Sequence, residues 1–408
     1  MREVLTFILA GGRGERLDPL TRDRTKPAVP FGGIYRIIDF TLSNCVNSGL
    51  RRIYVLTQYK SFSLQKHLLS GWDIVSNQLG EFIDVIPAQQ RIGADWYRGT
   101  ADAIYQNVYA IKDVDPQLVL ILAGDHVYKM DYRKIIRFHT EQKADMTVAC
   151  VPMPKYTSRD FGVIEVDQKK RVRGFQEKPE KPIAIPGRPK EIFASMGIYL
   201  FSRDVLLKEL ELDAASASDH DFGKNVIPQM LKNKRKVVVH NFVNEQNIPR
   251  YWRDIGTRDA YYQANMDLLG RKPAFNLFDK NWPVRTFHEQ YPPIKTMSTQ
   301  SGVTGSLVNS IISGGCIVEG ALVENSILSS NVRIHAQAKI QNSVIMEGVV
   351  VGKNAKIKNA IVDKEVFIPE NTRIGYDIDM DRKRFVLTRS QIVIVPKKMS
   401  VDAPIGAE

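Results

Sequence analysis

A run of six residues, Leu5 to Ala10, apolar but for Thr6, leads directly into Gly11, Gly12 and Gly14. The run is too short for a helix and reads as one buried strand. Glycine at its end allows positive φ and brings the backbone close to a ligand with no Cβ in the way. Arg13, Arg16, Arg22, Arg24 and Lys26 then place five cations within fourteen residues, enough to neutralise a triphosphate. The stretch therefore reads as a nucleotide-phosphate site. Leu17 stands where a GxGxxG loop needs its third glycine, and no Gly-Lys-Ser/Thr follows, so neither familiar phosphate loop is present. On these residues alone a purely structural Gly-rich turn stays open.

Downstream, apolar runs at Ile53 to Leu56, Phe82 to Ile86, Leu118 to Leu122 and Met146 to Val151 alternate with helical patterns. Alternation of this kind predicts a mostly parallel sheet flanked by helices, with ligands at the carboxyl ends of the strands. Residues at those ends gain weight accordingly. Gln58, Gln89 and Gln90 follow two of them and suit the reading of a base edge, although surface amides are an equal reading. Thr100 or Asp102 is placed to cap a helix using Ala103, Ile104, Val108 and Ile111. Asp125 follows the run Leu118 to Gly124, where a charge needs a partner. A hard cation such as Mg²⁺ is the obvious one, since it bridges phosphates; His126 beside it is left unassigned.

From Gly162 the pattern predicts an antiparallel hairpin, Gly162 to Val166 and Val172 to Gln176. Glu177 and Lys178 come next, and Pro179 predicts extended backbone at Lys178. A carboxylate for sugar hydroxyls beside an ammonium for a sugar phosphate is chemically apt, though Glu-Lys neighbours are common on surfaces. Ser195 precedes the strand Ile198 to Phe201. Asp254 is a second carboxylate in a loop beside glycine, so a metal shared with Asp125 is plausible.

The last quarter repeats. Leu322, Leu328, Ile334, Ile340 and Met346 recur every six residues, as do Val332, Ala338, Val344 and Val350, and later Val362, Ile368 and Ile374. Period six predicts a hexapeptide β-helix of about four coils. Acyltransferase activity is a rival function for such a repeat, but His335 is its sole histidine. The expected organisation is a catalytic domain over 1–270, a Pro-rich connector over 271–300, and a β-helix with a tail over 301–408.

The totals exclude other classes. No apolar run approaches the roughly 20 residues of a membrane span, and three scattered cysteines suggest neither disulfides nor a CxxC site. A cytoplasmic location fits best. The net charge of +12 raises nucleic acid as a partner. The cations are scattered, however, and clusters such as 232–236 and 382–384 read as solvated helix ends, so anionic metabolites are expected instead.

The string Ala10-Gly-Gly-x-Gly-x-Arg-Leu, with Leu20-Thr21 and Lys26-Pro27, resembles the opening motif of the sugar-nucleotide pyrophosphorylases. Arg36-Ile-Ile-Asp39-Phe40, Trp96-Tyr-Arg-Gly-Thr-Ala-Asp-Ala103, Asp125-His126, Glu177-Lys-Pro179, Ser195-Met-Gly197, His220-Asp-Phe-Gly223 and Tyr251-Trp-Arg-Asp254 extend the resemblance over nearly the whole chain. It implies a Rossmann-like, mixed but mostly parallel sheet followed by a left-handed hexapeptide β-helix. The implied reaction joins ATP and glucose 1-phosphate into ADP-glucose, releasing pyrophosphate; another nucleotide, or a non-catalytic regulatory subunit, are the alternatives. The resemblance implies Arg16, Lys26 and Asp125 as catalytic, and Gly11, Gly12, Arg13, Gly14, Gln58, Gln90 and Tyr97 around ATP. It further implies Gly162, Glu177, Lys178 and Ser195 at glucose 1-phosphate, and Asp125 with Asp254 on Mg²⁺. Glu15 replaces the small residue usual in the family. A homotetramer and small-molecule allosteric effectors are implied as well, with Arg22-Asp23-Arg24 a candidate part of an effector site.

Overall fold

The computed structural model describes residues 3–89, 91 and 96–401. Gln90 therefore lies outside the described residues. The predicted first strand forms as Val4–Leu9, parallel to Arg52–Thr57 on one side and to Leu118–Ala123 on the other. Being central, it is buried on both faces, which is why it reads as an unbroken apolar run. Phe82–Pro87 adds the outer parallel strand. Beyond Leu118–Ala123 the pairing turns antiparallel, through Glu191–Ser202 to the hairpin Gly162–Val166 and Val172–Glu177. Met146–Pro154 and Val237–Asn241 complete a mixed sheet of nine described strands. Val4 and Ile8 point into one apolar layer, Leu5 and Phe7 into the other, so helices cover both faces.

The single helix predicted after Gly99 is broken into Thr100–Tyr105 and Val108–Val114. Asn107 breaks it, because its amide donates to the Ala103 carbonyl and to the Tyr97 hydroxyl. Neither Thr100 nor Asp102 is the cap: Gly99 holds that place. Asp102 instead accepts from the Arg98 N–H, and Thr100 donates to Asp221. Lys178 departs from the extended backbone predicted for it, with φ +44°. Its N–H turns back to the Phe161 carbonyl at 3.1 Å.

The repeat folds into three parallel sheets with five stacked strands each, one more coil than expected, beginning at Lys295–Met297. A turn of the helix takes 16 or 17 residues, not 18: Ile317 pairs with Arg333, Arg333 with Val350, Val350 with Phe367. The period of six therefore slips. Leu322 and Val350 are only half-buried, and their neighbours Val323 and Val351 fill the core instead. The corners use positive φ, as at Asn325, Asn342 and Asn359 and at Gln337, Asn354 and Asn371. Asparagine tolerates that conformation and bonds its neighbour above, Asn354 to Asn371 at 2.8 Å. The third sheet packs on the catalytic part, where Ile327, Val344, Met346, Ile361 and Ile394 share one apolar cluster with Leu17, Leu20, Phe31 and Tyr261. The basic clusters end two helices, Ile227–Lys232 and Ile378–Arg384. Among the described residues no helix is long and apolar enough to cross a membrane.

Candidate active site

A cleft of about 1,070 Å³ opens at the carboxyl ends of the central strands. Its wall includes Gly11, Gly12, Arg13, Gly14, Arg16, Lys26, Gln58, Tyr97 and Asp125, all singled out from the sequence. Gly12 faces open space, whereas a Cβ on Gly11 would press on Gln58 at 3.2 Å. Gly14 takes φ +67° and packs against Thr21 and Lys26, so the loop folds back toward its own lysine. Gln58 accepts the Tyr97 N–H at 3.1 Å. Arg13 lies over the Tyr59 ring at 4.9 Å and donates to its hydroxyl. Glu15, left undecided by the sequence, is exposed and 3.6 Å from Arg13.

The deepest feature is a charge cluster built by three distant segments. Asp125 leaves the end of Leu118–Ala123, and the short strand His126–Tyr128 pairs antiparallel with Trp252–Asp254. His126 faces Asp254 in that ribbon, so both carboxylates arrive at one point. Lys26 lies between them, its Nζ 2.6 Å from Asp125 and 2.9 Å from Asp254. Burial opposes the Lys26 charge, but the two carboxylates outweigh it and its pKa is raised. Burial likewise works to raise Asp125, while Lys26 and His126 pull it down to about 2. The charge that the sequence left seeking a partner thus meets an ammonium first.

Asp125, His126 and Asp254 offer ligand atoms within 4.8 Å of one another. Two carboxylates with room between them fit a hard divalent ion, and nucleotidyltransferases of this kind generally use a divalent metal. His126 has its Nε2 at 3.5 Å from Asp125 and 3.7 Å from Asp254, while its Nδ1 is buried without a partner. Gly256 supports the cluster, since a Cβ there would sit 3.0 Å from Asp254 and 3.5 Å from Arg16.

Gly162, Glu177 and Ser195 form a second group beside the cleft. Gly162 pairs with Glu177 across the hairpin, and a Cβ on it would meet Phe175 at 2.5 Å and the Glu177 carboxylate at 3.4 Å. Lys178 is 3.7 Å from Glu177. Ser195 sits at the register shift of its strand and reaches the hydroxyl of Tyr199, which lines the cleft. Burial, then Asp221, and more weakly Glu177 push the Tyr199 hydroxyl above its ordinary pKa.

Reading the residues one by one missed Tyr199, Thr100, Asp221 and Lys224, which close this side of the cleft. The His220-Asp-Phe-Gly223 string was the available signal. Its backbone abuts Gly99, where a Cβ would lie 2.2 Å from the His220 carbonyl oxygen. Ser218, His220 and Asp213 also meet, but serine and aspartate both contact the same ring nitrogen, Nδ1. That arrangement cannot pass a proton from one to the other, so it holds the loop and activates no nucleophile. In Arg22-Asp23-Arg24, Arg22 is exposed 3.5 Å from Asp18, whereas Arg24 is buried against Asp363 of the β-helix.

Residues 5–271 match the nucleotidyl transferase family, and residues 292–395 the GlmU-like C-terminal hexapeptide family. The chain is 49% identical to a glucose-1-phosphate adenylyltransferase of Koribacter versatilis (strain Ellin345), over 98% of its own length and 97% of the relative's. It is also 49% identical to that of Methylococcus capsulatus over 97% of this chain and 93% of that one. For glucose-1-phosphate adenylyltransferase 2 of Vibrio cholerae the identity is again 49%, over 97% and 98%.

Proposed function

From the premise that this chain belongs to the family of glucose-1-phosphate adenylyltransferases, we propose that it transfers AMP from ATP to α-D-glucose 1-phosphate, forming ADP-glucose and pyrophosphate, a step of glycogen biosynthesis. The carrying observation is the cluster of Lys26, Asp125 and Asp254 at the foot of a glycine loop rich in cations.

In this reading the backbone of residues 11–14 and the side chains of Arg13, Gln58, Gln90 and Tyr97 hold ATP. Gly162, Glu177, Lys178 and Ser195 hold the sugar phosphate, supported by their grouping beside Tyr199. A phosphate oxygen of glucose 1-phosphate attacks the α-phosphorus in line, and the bond to the β-phosphate oxygen breaks as pyrophosphate leaves. The attacking phosphate already carries charge, so no side chain need be the nucleophile. The protein contributes orientation and preorganised charge. Arg16 and Lys26 take the negative charge that builds on the leaving pyrophosphate. Asp125 and Asp254 would hold a divalent ion, in our reading Mg²⁺, which when bound supplies further charge neutralisation at the phosphates.

The test is pyrophosphate release by purified protein with glucose 1-phosphate and Mg²⁺, in parallel with ATP, UTP, dTTP and GTP. Release with ATP at least about tenfold faster than with the others is expected, because a site that hydrogen-bonds its base rejects bases lacking those groups. Equal rates would remove the adenylyl assignment, and no release with any nucleotide would favour a regulatory subunit.

We further propose a cytoplasmic homotetramer tuned by small anionic effectors. Its support is the family and the open ends and flat faces of the stacked coils. Sedimentation should give four times the 46.2 kDa of the chain; a monomer mass would overturn the assembly. Glycolytic intermediates added to the same assay should change its rate, and constant rates would remove the effectors.

A further inference from the structure

The loop that carries Lys26 is not braced by the catalytic sheet alone. Two residues earlier, Arg24 is 6% exposed, and its guanidinium pairs with Asp363 of the β-helix, which is fully buried. The partners are 339 positions apart in the chain. Arg24 also donates through Nε to the Leu20 carbonyl at 2.9 Å, so one side chain both ties the loop together and anchors it. Asp363 is rigidly held in turn. Its N–H donates to the Val395 carbonyl, and its second oxygen accepts the Lys364 N–H at 2.7 Å.

From this anchor a series of bonds runs into the cleft. Thr21 donates to the Gly14 carbonyl at 2.9 Å, and Thr25 to the Ala10 carbonyl at 3.2 Å, which fastens both ends of the glycine loop. Lys26 follows at once and meets both carboxylates. A buried ion pair is a poor way to add stability, since an apolar pair of similar volume often does as well or better. Its directional fork is suited to fixing where a segment stands.

We propose that Asp363, acting through Arg24, is a positioning residue of the active site: the β-helix sets the place of residues 14–26 and so of the Lys26 ammonium. The kinetic consequence rests on the adenylyltransferase reading; the structural one does not. In the full-length protein, Asp363→Asn should speed amide hydrogen exchange of residues 14–26 by about tenfold or more while leaving 118–123 unchanged. Unchanged exchange at 14–26 would overturn the inference whether or not the protein is active.

In the wild-type assay conditions the same variant should lower kcat/KM for ATP by about tenfold or more, since small displacements of catalytic groups are costly. The KM for glucose 1-phosphate should stay within about twofold, because Glu177 and Ser195 hang from other strands. Arg24→Met should behave alike, and the double variant should be no slower than the slower single one, as expected for residues acting through each other. Losses that multiply, or equal losses toward both substrates, would sink the proposal. Arg24→Lys keeps the charge without the fork. Should Asp363→Asn fail to fold, this variant carries the same exchange and kinetic tests with the same outcomes expected.

Discussion

Asp125→Asn should slow pyrophosphate release by about a thousandfold, with circular dichroism and sedimentation unchanged. An ion bridging substrate phosphates supplies several kcal/mol of charge stabilisation, and each 1.36 kcal/mol is about a factor of ten in rate. Asparagine keeps the size of the side chain and leaves Lys26 paired with Asp254 at 2.9 Å, so the fold has no reason to yield. Binding of Mn²⁺, followed by its paramagnetic effect on water relaxation, should weaken in parallel. Near-normal turnover, or unaltered ion binding, would take the metal away from Asp125.

Lys26→Met should cost about a hundred- to a thousandfold in kcat, the scale seen when a preorganised charge is removed from a transition state. It should also change the pH profile. In the wild type the ammonium helps hold Asp125 near 2, so this ion pair contributes stability above the ordinary carboxylate range and loses it only as pH falls toward about 2. Without Lys26, two carboxylates share a buried site with no nearby ammonium, and like charges raise one another. The acid limb of kcat/KM should therefore move to higher pH. A limb that stays in place would mean the carboxylates do not depend on Lys26.

Parts of this architecture could be read from the chain. The strand at Leu5 and the glycines after it were legible because a central strand must be apolar on both faces and its ligand-facing turn must be free of side chains. Asp125 and Asp254 were each visible as a carboxylate beside glycine. The place of Lys26 between them was not, since its partners lie 99 and 228 residues away and local pattern says nothing about such distances. The broken helix after Gly99 was hidden because Asn107 fits a helical pattern and disrupts it only through its own side-chain bonds. In the β-helix, period six showed the kind of fold but missed its phase. A coil of 17 residues has one short side, and the marker was polar: Asn325, Asn342 and Asn359 repeat at that spacing. The anchoring of Arg24 by Asp363 left no local trace at all.

The ribbon that joins His126–Tyr128 to Trp252–Asp254 also sets a timetable. Asp254 is translated 129 positions after Asp125, roughly 6 to 26 s later at about 5–20 residues per second. Asp363 follows a further 109 positions on. Throughout that interval the emerging chain already has its glycine loop and central strands, yet lacks one of the two carboxylates and the anchor of the loop. A prematurely terminated product cannot acquire them later, so the molecule withholds its chemistry until its own synthesis is nearly finished.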